Sequence, residues 1–313
     1  MTPGRFKSAS SACDSATFLS LQSLNKEIVR EIFLNNGLTI LEKGSTLSDI
    51  NLAKKSIFKA IKASPGSLDV WFALSIILRA EFIFKNTTSS KDVSKLNSVL
   101  SFISKSSDSH IQASRRLRNR EKTVYLESIA LWTRLLIAEC MIWSKNDDEI
   151  DKAFEIIEGI KSKDSSIKIA CLVLTARAFK TIGNEKNSIH FFKKACASSG
   201  SPSYCWEELA SLYCEKDMFK AAELCLLKAV KASKGSLSCL AHSQLAILGL
   251  TVKNNSLASD SIAELNKLGA VDTSKFLQAI LQFRGGNASK ASKTLESVGD
   301  SVWKDWLNGL INI

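Results

Sequence analysis

The chain has 313 residues, a formal net charge of +11, 45% hydrophobic residues, 3 prolines and 14 glycines. The hydrophobic content excludes a generally disordered chain, and the scarcity of turn-forming residues excludes a protein of many short β-strands. The longest apolar stretch, Val70 to Leu78, ends at Arg79 and is far shorter than the roughly 20 residues of a membrane span. We therefore expect helices joined by short loops and no membrane partner.

The first 20 residues are rich in Ser, Ala and Thr, and they lack the continuous apolar core of a signal peptide. We predict that residues 1–20 form a flexible tail and that the protein resides in the cytoplasm, with the nucleus as the alternative. The cysteines form no CxxC pair, so we predict buried thiols in a reducing compartment, no metal site and no cofactor. They are Cys13, Cys140, Cys171, Cys196, Cys205, Cys214, Cys225 and Cys239.

A pattern of large and small residues recurs about every 34 residues and is clearest in the unit that begins at Ser203. Its fourth and eleventh residues, Trp206 and Tyr213, are expected to face the partner helix. Its eighth and twentieth residues, Ala210 and Ala222, are small enough to let two helices approach closely where they cross. The other matching residues of this unit are Leu209, Leu226 and Ala229.

Further units lie in phase with this one. The matching residues are Leu172, Ala176, Phe179, Phe192 and Ala195 in the unit at Ile169; Leu245, Ala246, Ala258 and Ile262 in the unit at Cys239; and Ala279, Ala291, Leu295 and Val298 near Asp272. Matches in the N-terminal half are Ala53, Ile57, Ala60 and Pro65, then Trp71, Leu74 and Leu78; Ala153 and Ile157 belong to a degenerate unit. A fixed period disfavours an ordinary helical bundle, and HEAT or armadillo repeats are longer, about 40–47 residues.

This pattern resembles that of the tetratricopeptide-repeat (TPR) family. The resemblance implies an all-α, superhelical solenoid of antiparallel helix hairpins that serves as a scaffold for protein–protein assembly. We predict TPR-like repeats over residues 21–104 and 123–300, a basic insertion over 105–122 between them, and a capping helix over 301–313.

The predicted insertion, from Lys105 to Lys122, is strongly basic. Its arginines are expected to create a positive field that contacts RNA phosphates or an acidic protein partner. They are Arg115, Arg116, Arg118 and Arg120. A solvated loop without a partner is the alternative, and the absence of aromatic residues among the arginines disfavours a site built on base stacking. We expect the segment to interrupt the repeat after a second helix over residues 92–104.

The C-terminal segment from Ser301 to Ile313 has apolar residues at roughly helical spacing, including Trp303 and Trp306. A cap that covers the last repeat is one interpretation. Because tryptophan is enriched at binding hot spots, the second interpretation is that both residues are protein-interface anchors.

No catalytic constellation is present in the sequence. The three histidines, His110, His190 and His242, are far apart, and no glycine-rich phosphate loop, serine elbow or zinc-protease helix occurs. We therefore predict that the protein is not an enzyme.

The segment from Ala53 to Arg79 combines a basic helix, Pro65 and a helix that begins near Trp71. It resembles the C-terminal repeats of the TPR scaffold of the superkiller complex. The resemblance implies a part of a larger scaffold that contacts an RNA helicase and WD-repeat subunits in cytoplasmic, exosome-linked RNA decay. The alternative is a generic TPR adaptor in transport or cell division with no RNA link.

A chaperone adaptor is disfavoured. In chaperone-binding TPR domains, Lys, Asn and Arg at fixed positions of the first helices clamp an acidic C-terminal peptide. Corresponding positions here hold Val173, Arg177, Glu207 and Ser211.

Overall fold

The computed structural model of the chain describes residues 26–43, 46–85, 90–233, 236–299 and Leu307. Over these ranges the chain forms fourteen α-helices and no β-strand, which confirms the predicted all-α class. The helices are α1 Lys26–Lys43, α2 Leu47–Ala63, α3 Leu68–Lys85, α4 Ser90–Arg116, α5 Arg120–Ser144, α6 Asp147–Glu158, α7 Ser165–Thr181, α8 Glu185–Ala197, α9 Ser203–Glu215, α10 Phe219–Ala232, α11 Ser236–Thr251, α12 Asn255–Lys267, α13 Val271–Arg284 and α14 Ala288–Glu296.

The helices belong to two compact units that meet in the sequence between Lys161 and Ser162. The first unit contains α1 to α6, and the second contains α7 to α14. Within each unit, helices that are consecutive in sequence pack side by side, and the short connections make them antiparallel. The boundary lies inside the predicted repeat block 123–300. The predicted tail 1–20 lies outside the described residues.

Small residues lie where the two helices cross in six pairs of the described chain. In the pair α9–α10, Ala210 and Ala222 are 1% and 0% exposed and belong to one buried cluster, as the repeat predicts. The residue equivalent to Ala222 is small and fully buried in five other pairs. These equivalents are Ala53, Ala153, Ser188, Ala258 and Ala291.

A large residue lies one helical turn after each of these small residues, on the same face of the second helix. All six are buried: Ile57, Ile157, Phe192, Leu226, Ile262 and Leu295. Each of these six pairs therefore combines one close backbone approach with one bulky side chain that fills the space beside it, and this combination repeats along the chain.

The backbones of α11 and α12 approach each other very closely at Gly249. A Cβ atom on Gly249 would lie 2.7 Å from the backbone nitrogen of Ala258 and 3.1 Å from its Cα atom. Both atoms belong to the backbone and cannot rotate away. Only glycine fits at this position without moving one of the two helices.

The turn within each of five pairs follows one design. The first helix ends at a residue with φ between 56° and 82°, which closes the helix in the left-handed region. The following residue begins the second helix and is asparagine in four of the five turns, where its side chain accepts a hydrogen bond from a backbone N–H in three cases. The turns are Lys145-Asn146, Gly183-Asn184, Asp217-Met218, Lys253-Asn254 and Gly286-Asn287.

The predicted basic insertion over residues 105–122 is wrong, because helix α4 occupies most of this segment. The helix does not stop near Ser104 but continues to Arg116, because buried residues keep a helical spacing along it. These residues are Ile103, Ser107, Ile111 and Ser114, none more than 8% exposed. Only residues 117–119 separate α4 from α5. The segment is thus the end of a long helix followed by a tight turn.

Ion pairs join the first helices of neighbouring pairs. In the first unit, the Arg79 guanidinium of α3 donates to both carboxylate oxygens of Glu139 on α5, at 2.5 and 2.8 Å. Glu139 is 4% exposed, so this charge is neutralised inside the unit. In the second unit, Arg177 of α7 pairs with Glu208 of α9. These contacts fix how one helix pair is placed on the next.

Replacing Ala222 by Leu should lower the free energy of unfolding by roughly 1–3 kcal/mol, because the added atoms must enter the crossing of α9 and α10. Ala232→Leu, at an exposed position of the same helix, is the matched control. The measurement is urea unfolding followed by circular dichroism. Equal stability of the two variants would show that Ala222 is not at a close crossing.

Replacing Ser188 by Ala should have the opposite effect. The Ser188 hydroxyl is fully buried and has no hydrogen-bond partner among the described residues, so its removal should stabilise the fold by about 1 kcal/mol. Ser75 is equally buried but donates to the Phe72 carbonyl at 2.7 Å, so Ser75→Ala should not stabilise. Thermal unfolding of both variants tests this contrast, and a loss of stability in Ser188→Ala would refute it.

Candidate protein-interaction surfaces

The four arginines of the predicted basic site cluster at the turn between α4 and α5. All four are exposed. Arg115 donates to the Glu127 carboxylate at 2.6 Å, whereas Arg116, Arg118 and Arg120 form no ion pair with another described residue. The turn therefore presents uncompensated positive charge.

Apolar side chains share this turn, a feature that the charge pattern did not reveal. Leu117 lies between two of the arginines and is 79% exposed, and Val124 and Tyr125 on α5 are 59% and 54% exposed. Partial burial, reinforced by the nearby Asp69 carboxylate, raises the pKa of Tyr125 above its ordinary value, so its hydroxyl is protonated at neutral pH. No signal in the sequence indicates this exposure, because Leu117 follows Ser114 by three residues, just as the buried Ser114 follows the buried Ile111.

The second unit has exposed apolar residues on its first helices. Tyr204 on α9 is 40% exposed, and Leu240 and Ile247 on α11 are 51% and 52% exposed. Leu240 and Ile247 are seven residues apart, about two helical turns, so both lie on one side of α11. We refer to Tyr204, Leu240 and Ile247 as the first-helix face.

The positions at which chaperone-binding domains carry their clamp are otherwise occupied. Val173 is 3% exposed and Glu207 is 7% exposed, and burial raises the Glu207 pKa above its ordinary value. Arg177 is bound to Glu208, with its Nη2 atom 2.5 Å from the carboxylate. These side chains hold the helices of the unit together.

The predicted anchors Trp303 and Trp306 lie outside the described residues. Their neighbour Leu307 is helical and 2% exposed, and it packs in a cluster with Ala279, Ala291 and Leu295 of the last helix pair. At this one residue, the C-terminal segment covers the end of the repeat array.

The thiols of Cys140 and Cys196 are shielded from solvent and are not activated. Burial raises the pKa of Cys140 and of Cys196 to about 12, so both are protonated at neutral pH and are poor nucleophiles. Burial likewise lowers the pKa of His242, which favours its neutral form. No group of three or more His, Cys, Asp or Glu side chains within the described ranges is arranged to hold a metal ion.

The first unit also contains a cleft of about 800 Å³ between α3, α4 and α5. The rings of Phe82 and Trp143 stack at its edge, with their centroids 4.5 Å apart. Hydroxyl groups of Ser94, Ser98 and Ser101 line the α4 side.

Solved structures establish which fold this is. The structure resembles that of yeast Tom70 with a TM-score of 0.59 and 14% identity, covering 98% of this chain and 58% of Tom70. It resembles a monomeric IFIT1 mutant with a TM-score of 0.58 and 16% identity, covering 88% of this chain and 60% of that one. Both are TPR-repeat proteins. The fold is that of the tetratricopeptide repeat. Because the sequence identities are this low, the two structural matches establish the TPR fold and nothing about function.

The amino-acid sequence is similar to that of one particular protein in two organisms. Over 290 residues the chain is 23% identical to Superkiller complex protein 3 of Mus musculus, and over 264 residues it is 23% identical to the Homo sapiens protein. The matches cover 86% and 78% of this chain but 18% and 16% of those proteins. The chain thus spans less than a fifth of the length of these relatives. No protein-family model matches the sequence.

No helix among the described residues is both long and apolar enough to cross a membrane.

Proposed function

We propose that this chain is a non-catalytic TPR scaffold and that it works within a superkiller-type assembly in cytoplasmic, exosome-linked RNA decay. The observation that carries the proposal is the similarity to Superkiller complex protein 3, which extends through 86% of the chain. A likeness limited to one helix pair would reflect only the common TPR spacing. The partners in this proposal are an RNA helicase and WD-repeat subunits.

The chemistry of the described residues supports a scaffold rather than an enzyme. The shielded thiols of Cys140 and Cys196 and the partly buried imidazole of His242 are tuned away from nucleophilic and acid–base work at neutral pH. The ion pairs Arg79–Glu139 and Arg177–Glu208 connect helices instead of facing a cavity where a substrate would react.

The first-helix face is the proposed surface for the protein partner. Regular repeats stack their first helices into an extended surface that solenoid proteins use for binding. Tyr204, Leu240 and Ile247 supply aromatic and aliphatic side chains that a partner can bury there. Trp303 and Trp306 remain proposed additional anchors.

The proposal is tested by affinity purification of the tagged chain from native lysate, with identification of the bound proteins. We expect recovery of a helicase subunit and WD-repeat subunits that resists nuclease treatment. The double substitution Leu240→Glu and Ile247→Glu should reduce recovery to roughly a tenth or less, because it places charge on two apolar contacts. Leu224→Glu, at a 63% exposed position of α10, should retain the partners.

Two results would contradict this proposal. Recovery of neither a helicase nor a WD-repeat subunit with the unaltered chain would reject the superkiller assignment. Equal recovery with the double variant would reject the first-helix face, provided that all variants unfold at the same temperature.

A further inference from the structure

The turn between α4 and α5 is rigid although it is exposed. The Asn119 N–H donates to the Ser114 carbonyl at 3.1 Å, and the Arg118 N–H donates to the Arg115 carbonyl at 3.0 Å. Arg118 has φ of 53°, so these bonds hold a non-glycine residue in the left-handed region. The Asn119 side chain then accepts from the Lys122 N–H at 3.0 Å and begins α5. The side chains of the turn thus project from a fixed backbone.

A mixed surface of charge and apolar area results. Between residues 115 and 125 the sequence carries five cations and the single carboxylate of Glu121. Leu117 has the highest exposed fraction of any large hydrophobic residue among those described. Val124 and Tyr125, which come later in the sequence in the first turns of α5, are also exposed. A single exposed leucine is ordinary on a protein surface. Three exposed apolar residues beside three unpaired arginines are the pattern of a binding site.

We propose that this turn docks an acidic, amphipathic segment of a protein partner, with the partner's carboxylates on the arginines and its apolar side chains on Leu117 and Val124. Charge complementarity selects the acidic partner, because guanidinium groups bind carboxylates through paired hydrogen bonds. The exposed aliphatic area selects a protein over RNA. Single-stranded RNA sites depend on planar aromatic surfaces for base stacking, and this turn offers one ring, that of Tyr125.

The fixed turn also favours binding energetically. Because its backbone is already hydrogen-bonded in one conformation, association does not have to order the loop, and the entropic cost falls mainly on the partner. This surface lies in the first unit, apart in sequence from the first-helix face of the second unit. It therefore adds a second contact to the proposed scaffold function, on which this inference rests.

Fluorescence anisotropy with the purified full-length chain tests the inference with three labelled probes of equal negative charge. The first is a short peptide that combines Leu and Phe with Asp and Glu, the second is an oligoglutamate, and the third is an oligouridylate. We expect the amphipathic peptide to bind most tightly. Leu117→Ser with Val124→Ser should weaken that peptide roughly tenfold and leave the oligoglutamate unchanged, because only the apolar contact is lost.

Two further variants complete the test. Arg116→Gln, Arg118→Gln and Arg120→Gln together should weaken all three probes, and Leu224→Ser should weaken none. Unchanged peptide affinity in the Leu117 and Val124 double variant would overturn the inference, as would an oligouridylate that binds at least as tightly as the peptide. Failure here leaves partner recovery through Leu240 and Ile247 unaffected, so the two proposals fail separately.

Discussion

The close crossing of two antiparallel helices at a small buried residue is the constraint on which the rest of the structure depends. At Ala222 and its equivalents the second helix lies against the first with almost no side chain between them, and the large residue one turn later fills the adjacent space. At Gly249 the approach is so close that even a methyl group would collide with the backbone of Ala258. Since six helix pairs among the described residues are built in this way, the array grows by adding pairs and not by enlarging one core.

This construction determines which residues remain for function. The crossings use the small residues, and the ion pairs Arg79–Glu139 and Arg177–Glu208 use conspicuous charged side chains to join neighbouring pairs. The exposed surface includes apolar area on the first helices and the rigid basic turn after α4. Both are surfaces for contact, and neither gathers the activated groups that a reaction requires. These surfaces support protein–protein interaction, on which the proposed scaffold function rests.

The fold and the helix crossing at Ala210 and Ala222 could be predicted from the sequence, because both depend on the spacing of large and small residues, which is read directly from the sequence. The sequence pattern mispredicted residues 105–116, because the buried positions Ser107 and Ser114 are polar in type although they lie in the core of a helix pair. It missed turns such as Lys253-Asn254, where lysine adopts a conformation expected of glycine. Exposure of Leu117 and Leu240 could not be read from the sequence either, since it depends on which side of each helix its neighbours cover.

Hydrogen exchange followed by mass spectrometry tests the central claim most directly, namely that each helix pair is held at its own crossing. If it is, slowly exchanging amides should recur about every 34 residues through α7 to α12, centred on the second helices, because each crossing excludes water locally. Peptides that contain Ala222 and Ala258 should both be among the slowest. A single continuous protected stretch, with fast exchange at either of these crossings, would contradict a repeat array and indicate one shared core.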